Sequence, residues 1–514
     1  MDFLIGVDIG TYESKGALTT LDGKLIQKAV RPHKLSVPRP GWAEHDAEKT
    51  WWVDFCEIVH ELLDHSGVFP SQVAAVGVSA IGPTVLPIDK AGRALRPAIL
   101  YGIDTRSVAE IDELNKELGA ESVFERCGNY LTTQSAGPKI RWLQKHEPEI
   151  YQKADKFVTA TTFLVQRLTG NCVIDHYTAA AGYTPLYNLK EQAWDPEFCR
   201  AVVEPERLPE PKWTTDIAGV VTHDASAACG LCTGTPVIVG TCDASAEAVS
   251  VGVVHPGQTM VMYGSTIFLI RVTGENLSDQ RLWSAPYLFP GTYSLLGGMA
   301  TTGAITRWIK DQFAKELDFE EISQGKNVYD ILTKEAERTP PGADGLVLLP
   351  YFSGERTPLN DPMARGVIFG LTLAHTRGHV FRAVLEGVGF GIRSHLDIMR
   401  EKGLEAGELT AVGGGTKNPL WLQVVSDICK APQRVNDVAL GASYGDAFLA
   451  GLGVGAVPNY KEIDRWVRVK HIVQPQAGNA ELYDRLSRIY GGLYHSSREW
   501  MHEIYRLQNG EFEA

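Results

Sequence analysis

Two glycine turns that carry hydroxyl side chains constrain the fold of this chain most strongly. Residues 8–11 (Asp-Ile-Gly-Thr) follow the apolar run 3–7, and residues 263–266 (Tyr-Gly-Ser-Thr) follow the apolar run 259–262. Each turn offers backbone N–H groups and a hydroxyl to an anion, as phosphate-binding nests do. Two such turns in opposite halves predict a duplicated fold that holds a nucleotide between its halves.

Strand and helix patterns alternate along both halves of the chain. Residues 3–30 and 257–273 have the pattern of strand hairpins, the first with an Asp-Gly turn signal. Apolar residues at helical spacing predict helices over 47–64, 376–400 and 420–430. This alternation favours an α/β architecture. A chain of 514 residues also exceeds one ordinary core, so we expect at least two domains with a boundary near 240–255.

Composition narrows the functional classes. A hydrophobic content of 44% with 22% charged residues is typical of a soluble globular protein. The net charge of −13 argues against a nucleic-acid-binding protein, which needs a basic face. The N-terminus lacks the pattern of a signal peptide, and the longest near-apolar run, 447–457, is too short for a membrane helix. Eight scattered cysteines favour reduced thiols, so we expect a cytoplasmic protein without a membrane or nucleic-acid partner.

Three segments carry candidate chemistry, and each has a structural alternative. Asp8, Thr11 and Lys15 are candidates to contact phosphate and Mg²⁺, which needs few carboxylates, or they belong to an ordinary hairpin. Asp243 follows a strand and precedes small residues, so it is either a general base or a helix N-cap. Asn418, after the glycine turn 413–415, is either a purine contact or another N-cap.

These segments, in this order, resemble the FGGY carbohydrate kinases, and most closely the xylulokinase-type members. The resemblance covers roughly residues 3 to 455 and includes several further stretches: Gly-Trp-Ala-Glu-His-Asp at 41–46, Arg-Leu-Thr-Gly at 167–170, Pro-Tyr-Phe-Ser-Gly-Glu-Arg-Thr-Pro at 350–358, and Asp-Pro-Met-Ala-Arg-Gly at 361–366. Ala98, Ile99 and Leu100 ahead of Asp104 and Arg106 belong to the same set.

The resemblance implies a fold and an activity. The fold is α/β, with two actin-like (ribonuclease H-like) domains of the sugar kinase, heat-shock chaperone and actin fold and an interdomain cleft. Residues 1–245 form the N-terminal domain with the first phosphate hairpin and the sugar side, and residues 246–514 form the nucleotide side. The activity is ATP-dependent phosphorylation of a hydroxyl on a small sugar or polyol with Mg²⁺, and a homodimer is compatible with the resemblance.

The resemblance also implies roles for individual residues. Asp243 matches the catalytic base and, with Asp8, the metal-associated carboxylates. The nucleotide-contacting residues are Thr11, Lys15, Gly264, Ser265, Thr266, Gly303, Gly414, Gly415 and Asn418. The turn at 264–266 is Gly-Ser-Thr where the family usually has Gly-Thr-Gly or Gly-Thr-Ser-Gly, so one glycine is lost while the hydroxyl remains.

The sugar side departs further from the family pattern. Xylulokinases usually carry Gln-Met-His-Gly and glycerol kinases an Arg-Glu pair where this chain has Ile-Gly-Pro-Thr at 81–84. Gly82 and Pro83 therefore replace polar groups that read hydroxyls, which argues against glycerol. Asp104 and Arg106 are candidate sugar contacts. We expect Glu355–Arg356 and Asp361–Arg365 to be structural ion pairs and His45 to be structural.

Several functions remain open at this point. The first is phosphorylation of a ketopentose such as xylulose, and the second is phosphorylation of another ketose or polyol. A third, from a different class, is an actin-like or chaperone-type ATPase, which would share both hydroxyl turns but needs no sugar-dependent base. A sugar-binding regulator without catalysis is a fourth, although the presence of both Asp8 and Asp243 argues against it.

Overall fold

The chain divides into two compact units that interleave along the sequence. A computed structural model describes residues 2–318, 325, 327–437 and 440–510. Unit 1 comprises Met1–Pro256, Val272–Leu295 and Val438–Arg468, and unit 2 comprises Gly257–Arg271, Leu296–Asp437 and Val469–Ala514. Both are built from strands and helices, so the predicted α/β class is confirmed. The predicted domain boundary at 245/246 is a single division of the chain, whereas each compact unit is made of three separate stretches. The domains 1–245 and 246–514 therefore stay a prediction.

The first half of the chain contains fifteen described strands and ten described α-helices. The strands are β1 Phe3–Ile9, β2 Glu13–Thr20, β3 Leu25–Pro32, β4 Glu44–His45, β5 Val73–Ala80, β6 Leu86–Ile88, β7 Ala98–Ile99, β8 Lys156–Val158, β9 Val173–Asp175, β10 Tyr187–Asn188, β11 Ala193–Trp194, β12 Glu210–Lys212, β13 Ile217–Val220, β14 Pro236–Ile238 and β15 Thr241–Cys242. The helices are α1 Val53–Ser66, α2 Val108–Leu118, α3 Ala120–Cys127, α4 Ala136–His146, α5 Pro148–Lys153, α6 Ala160–Thr169, α7 His176–Gly182, α8 Pro196–Val202, α9 His223–Cys229 and α10 Asp243–Ser250.

The second half continues with nine described strands and seven described α-helices. The strands are β16 Thr259–Tyr263, β17 Ile267–Thr273, β18 Trp283–Pro286, β19 Tyr293–Met299, β20 Val347–Leu349, β21 Val367–Phe369, β22 Leu409–Val412, β23 Gln433–Asn436 and β24 Val469–Val473. The helices are α11 Gly303–Phe313, α12 Val328–Glu337, α13 Arg377–Glu401, α14 Pro419–Cys429, α15 Ala442–Gly453, α16 Ile463–Trp466 and α17 Ala480–Gln508. Within the described ranges, every helix is too short or too polar to span a bilayer.

The sheet of unit 1 brings the predicted carboxylates to one edge. Its strand order is β13-β14-β5-β1-β2-β3, with β15 also paired to β5. β1 runs antiparallel to β2, where Asp8 is opposite Lys15, and parallel to β5, where Asp8 is opposite Ser79. β15 pairs with β5 in parallel and leads directly into α10, whose first residue is Asp243. The ends of β1, β5 and β15 therefore meet where the chain carries Asp8, Ser79 and Asp243.

The second sheet brings two of the predicted glycine turns together. Its order is β18-β19-β17-β16-β22-β23-β24. β16 is antiparallel to β17, with the turn at 264–266 between them, and parallel to β22, where Met262 is opposite Val412. β22 ends just before the glycine run 413–415, which enters the 3₁₀ turn Gly414–Lys417 and then α14. Both hairpins and the helix predicted over 376–400 are confirmed.

Helix α15 packs on the sheet of unit 1 through glycines. A Cβ atom added at Gly6 of β1 would overlap the carbonyl oxygen of Ser443, and one added at Gly77 of β5 would overlap the carbonyl oxygen of Asp446. The backbone of α15 thus touches β1 and β5 directly. Because glycine has no Cβ, it permits this close approach of two backbones. The contact fixes α15 beside the strand ends that carry Asp8 and Ser79.

This contact predicts the effect of one substitution. Gly6→Ala should lower the free energy of unfolding by about 1–3 kcal/mol, because the new methyl group has no room and α15 must shift. Chemical denaturation followed by circular dichroism measures the change. Gly491→Ala in α17 is the matched control, since nothing lies within 4 Å of a Cβ there. An equally stable Gly6→Ala protein would contradict the close packing of α15.

Candidate active site

A hydroxyl group bridges two buried carboxyl groups at the edge of the unit 1 sheet. Ser79 Oγ lies 3.2 Å from Asp8 Oδ1 and 2.7 Å from Asp446 Oδ2. Asp8 is the second-last residue of β1, Ser79 is the second-last residue of β5, and Asp446 belongs to α15. The solvent-exposed fraction is 7% for Asp8 and 0% for Asp446. Sequence reasoning missed Ser79 and Asp446, because no spacing links them to Asp8.

The pKa values of the predicted carboxylates are raised. Burial, and then the charge of Asp243, raises the pKa of Asp8 well above its ordinary value. Burial raises the pKa of Asp243 to about 7, and the charge of Glu247 adds to the shift. Asp8 and Asp243 therefore lie within electrostatic reach of each other. A carboxyl group whose pKa lies near neutrality is well suited to accept a proton at physiological pH.

Asp243 occupies the start of α10 and does not cap it from outside. Its Oδ1 accepts a hydrogen bond from the backbone N–H of Ala244 at 2.7 Å, and Cys242 is the N-cap residue. Lys15 Nζ is 2.6 Å from Glu13 Oε1, and its charge lowers the pKa values of Asp8 and Glu247. The structure thus brings Asp8, Lys15 and Asp243 into one electrostatic cluster. Their roles in catalysis and phosphate binding stay predictions.

The carboxylate oxygens of this cluster are ligands of the kind that Mg²⁺ uses in proteins. Among the described residues, no three His, Cys, Asp or Glu side chains come together in a metal-binding arrangement. Mg²⁺ binds through one or two carboxylates and keeps several waters or phosphate oxygens. Asp8 and Asp243 supply oxygen ligands of that kind and number.

A histidine side chain contacts the backbone of the first glycine turn. His33 Nε2 lies 3.0 Å from the carbonyl oxygen of Gly10, and His33 Nδ1 lies 2.9 Å from Asp54 Oδ2. Ser14 Oγ donates to the same Asp54 oxygen at 2.7 Å. Both ring nitrogens of His33 thus lie within hydrogen-bonding distance of an oxygen atom. Thr11 lies in this turn, with Oγ1 at 3.4 Å from the hydroxyl of Tyr101.

His45 packs inside unit 1, and its structural role stays a prediction. Its Nδ1 accepts a hydrogen bond from Trp51 Nε1 at 3.1 Å, and its ring packs edge-on against His33 with centroids 5.1 Å apart. Burial lowers the pKa of His45 to about 4, so the ring is neutral at physiological pH. Neither His33 nor Asp54 was predicted from sequence, since they lie in different elements and form no motif.

The predicted sugar-side residues divide into two groups. A Cβ atom at Gly82 would lie 2.9 Å from Cβ of Cys242, which places Gly82 beside the residue that precedes Asp243. Asp104 and Arg106 have fully buried side chains, and the guanidinium group binds both Asp104 oxygens at 2.7–3.1 Å. The same guanidinium lies 3.9 Å from the ring of Trp42. Asp104 and Arg106 therefore bind each other inside unit 1, and their role as sugar contacts stays a prediction.

Unit 2 contains a cavity of about 620 Å³ that unites most of the predicted nucleotide residues. Its lining includes Gly264, Ser265, Gly303, Gly414, Gly415 and Asn418. The lining also has three cationic residues, Arg307, Lys334 and Lys417, and two acidic ones, Asp330 and Glu337, none of which was predicted. Thr266 lies outside the lining, and its carbonyl oxygen accepts a hydrogen bond from Gly264 N at 3.0 Å. Glycine backbones and positive side chains together suit a ligand with phosphate groups.

Hydrogen bonds fix the lining of this cavity. The backbone N–H of Gly303 donates to the carbonyl oxygen of Gly264 at 3.1 Å, so the start of α11 is tied to the turn after β16. Asn418 Oδ1 accepts from the backbone N–H of Trp421 at 3.1 Å and caps α14, while Nδ2 donates to Thr333 Oγ1 at 3.0 Å. Asn418 is therefore the N-cap residue of α14, which was one of its two predicted roles. A contact between Asn418 and a purine stays a prediction.

The prediction of an ion pair between Asp361 and Arg365 is wrong. Asp361 Oδ2 accepts from the hydroxyl of Tyr494 at 2.9 Å and lies 2.8 Å from His502 Nε2. Arg365 instead donates from Nε to Gln508 at 2.8 Å. α17 supplies these partners, and a short-range sequence pattern could not reveal contacts made by a distant helix. Glu355 Oε1 accepts from the backbone N–H groups of Ala300 and Arg356, both at 2.7 Å.

Unit 1 thus carries buried carboxyl groups with raised pKa values near the ends of its strands, and unit 2 carries a cavity lined by glycines. The chain belongs to the FGGY family of carbohydrate kinases, because the family's N-terminal domain matches residues 3–250 and its C-terminal domain matches residues 259–454. The predicted family, fold and enzyme class are confirmed.

Named relatives cover nearly the whole chain. The xylulose kinase of Staphylococcus xylosus is 27% identical over 96% of this chain and 100% of that enzyme. The gluconokinase of Bacillus subtilis is 28% identical over 96% of this chain and 95% of that enzyme. The crystal structure of xylulose kinase from Rhodospirillum rubrum superposes with a TM-score of 0.90 at 32% identity, and covers 97% of this chain and all of that one.

Relatives with different names limit what similarity can establish. A glycerol kinase of Nocardia farcinica is 31% identical over 88% of this chain and 90% of that enzyme. Xylulose kinases, gluconokinases and glycerol kinases therefore resemble this chain to a similar degree. The protein is a sugar or polyol kinase, and carbohydrate kinases use ATP as co-substrate.

The open face of Gly414 predicts a way to block the cavity. Gly414 lines the cavity, and nothing lies within 4 Å of a Cβ there. Gly414→Val should therefore fold normally yet weaken ADP binding at least about tenfold, because the side chain enters the space that the ligand needs. Isothermal titration calorimetry measures the affinity. Gly478→Val, in another 3₁₀ turn of unit 2 with equally open space, should leave binding unchanged.

Proposed function

We propose that this protein transfers the γ-phosphoryl group of ATP to a hydroxyl group of a small sugar or polyol, with a ketopentose such as xylulose as the preferred acceptor. The observation that carries the proposal is the position of Asp243. This carboxyl group, with a pKa of about 7, begins α10 at the sheet edge where Asp8 also lies. A base of that strength is what a reaction at an unactivated hydroxyl needs.

In the proposed reaction, Asp243 takes the proton from the acceptor hydroxyl. The hydroxyl oxygen forms a bond to the γ-phosphorus while the bond from that phosphorus to the β,γ-bridging oxygen breaks, and ADP leaves. Asp8 and Asp243 would hold Mg²⁺, which supplies positive charge that offsets the charge on the phosphates. Thr11 and Lys15, in the first hairpin, add a hydroxyl and a positive charge at the same edge.

Unit 2 is proposed to hold the nucleotide in its cavity. Gly264, Ser265 and Thr266 form the second phosphate turn, and Gly303, Gly414, Gly415 and Asn418 surround the rest of the nucleotide. Arg307, Lys334 and Lys417 strengthen this assignment, since positive side chains stabilise a polyphosphate. A homodimer is also part of the proposal.

The ketopentose preference rests on the named relatives, because the sugar-side stretch 81–84 departs from the xylulokinase pattern as well as from the glycerol kinase pattern. Several similar proteins are named xylulose kinases, while Gly82 and Pro83 leave few polar groups to read a glycerol chain. A gluconokinase of equal similarity supports a second candidate, a longer acid or ketose acceptor. An actin-like or chaperone-type ATPase would consume ATP without any of these acceptors.

A screen of acceptors tests the proposal directly. ADP release is followed at fixed Mg·ATP with xylulose, ribulose, fructose, gluconate, xylitol and glycerol, and with no acceptor. We expect release to depend on an acceptor and to be fastest with a ketopentose. Fastest release with gluconate or a polyol would show that the proposed ketopentose is the wrong acceptor, while the proposed phosphoryl transfer would still hold. Equal ADP release without any acceptor would favour the ATPase and refute the kinase reaction.

Replacing the proposed base predicts a specific loss. Asp243→Asn should lower kcat about 10²–10⁴-fold, because the amide cannot accept the hydroxyl proton, while the affinity for ADP measured without Mg²⁺ stays unchanged. Coupled kinetics and calorimetry measure the two quantities.

The pH dependence of kcat/KM gives a second prediction for Asp243. In the unchanged protein kcat/KM should fall below pH about 7, where Asp243 is protonated. This decrease should be absent in Asp243→Asn, because the amide does not titrate.

Asp195→Asn is the matched control for this substitution. Asp195 is also buried at a helix start, where it caps α8 by accepting from the backbone N–H groups of Glu197 and Phe198. An asparagine can make the same capping bonds. Normal turnover in Asp243→Asn, or an equal loss in Asp195→Asn, would show that Asp243 is not the base.

A further inference from the structure

Asp446 is the one aspartate of the unit 1 cluster that lies outside the predicted machinery. It sits in α15, far along the chain from Asp8 and Asp243, yet Ser79 joins it to Asp8 through a single hydroxyl group. Its side chain is fully buried. Its second oxygen, Oδ1, is also buried and makes no hydrogen bond with any residue that the structure describes.

The backbone fixes the place of this carboxyl group. At Gly77 of β5, a Cβ atom would overlap the carbonyl oxygen of Asp446 itself, so no side chain separates α15 from the strand at this point. Ser79 follows two residues later on the same strand. A 2.7 Å bond between Ser79 Oγ and Asp446 Oδ2 therefore joins two elements that are already in backbone contact. The group has little freedom to turn toward other partners.

Counting hydrogens shows how this bridge works. The Ser79 hydroxyl has one hydrogen and lies between two carboxyl groups, so it cannot donate to both. A buried carboxylate with an unpaired oxygen is costly, and the cost is removed when the group keeps its proton. If Asp446 keeps its proton, its O–H can donate to Ser79 Oγ, and the single hydrogen of Ser79 is then free to go to Asp8 Oδ1. This direction leaves the negative charge on Asp8, which is the less buried of the two.

We propose that Asp446 is a positioning residue that acts through Ser79 to hold the Asp8 carboxylate in the orientation that receives the metal ion of the nucleotide complex. This inference rests on the proposed metal role of Asp8. Burial, and then the charge of Asp8, raises the pKa of Asp446 well above its ordinary value, in agreement with the direction of the bridge. Neither Asp446 nor Ser79 touches the reacting atoms in this proposal.

Three variants test the bridge. Ser79→Ala removes the bridging hydroxyl, Asp446→Ala removes the outer carboxyl group, and Asp446→Asn keeps an N–H donor of similar shape. Residues behind a metal ligand typically influence metal affinity by 10–100-fold. We expect Ser79→Ala and Asp446→Ala to weaken Mn²⁺ binding, measured by electron paramagnetic resonance with ADP present, about tenfold. Asp446→Asn should stay within about twofold of the unchanged protein.

Asp427→Ala is the control for general destabilisation. Asp427 is another buried aspartate with several hydrogen bonds, from Gln423, Gln476 and Asn479, and it lies in unit 2 away from the glycine-lined cavity. Its loss should lower the thermal unfolding midpoint without weakening Mn²⁺ binding. If Asp446→Ala fails to fold, Ser79→Ala and Asp446→Asn still decide the matter.

The outcomes separate this inference from the proposed function. Normal Mn²⁺ binding in folded Ser79→Ala would overturn the bridge, as would a loss in Asp446→Asn as large as in Asp446→Ala. Either result leaves acceptor-dependent ADP release by the unchanged protein intact. Absence of that release from the unchanged protein would instead refute the proposed function, whatever the metal affinity of the variants.

Discussion

The pairing of β1 between β2 and β5 is the constraint on which the site in unit 1 depends. This register sets Asp8 opposite Lys15 on one side and opposite Ser79 on the other. A slip of one residue would turn every side chain of β1 to the opposite face. The glycines at positions 6 and 77 then admit α15, which brings Asp446 to the same place. Strand register and backbone contact together thus gather carboxyl groups that repel one another.

This gathering of carboxyl groups works against the stability of the folded state. The folded-state pKa of Asp243 is about 7, whereas its ordinary value is 3.8. Between these values the folded chain binds more protons than the unfolded chain, so the free energy of unfolding falls as the pH rises through this window. Above pH 7 the full cost remains. The apolar packing of unit 1 must supply the difference, as is common where a fold holds a reactive group.

Sequence patterns predicted the parts of the molecule that follow from local rules. The hairpins at 3–20 and 257–273 were predicted because apolar runs flank glycine turns, and α13 was predicted from its apolar stripe. Six predicted residues also line one cavity in unit 2. Asp446 could not be found, because α15 is a largely apolar helix whose one aspartate carries no motif. Contacts that join distant elements, such as His33 with Gly10 or Asp361 with α17, were missed or wrongly assigned for the same reason.

The interleaving of the two units has a consequence for synthesis of the chain on the ribosome. Unit 1 begins with β1 but is completed only by its third stretch, which contains α15. A nascent chain that ends before α15 leaves the glycine-lined faces of β1 and β5 uncovered. All strands of this sheet precede residue 243, so they can pair before unit 2 is translated, but the glycine-lined face of the sheet stays uncovered until α15 follows. Long-range contacts of this kind slow folding, and a transiently exposed surface promotes aggregation.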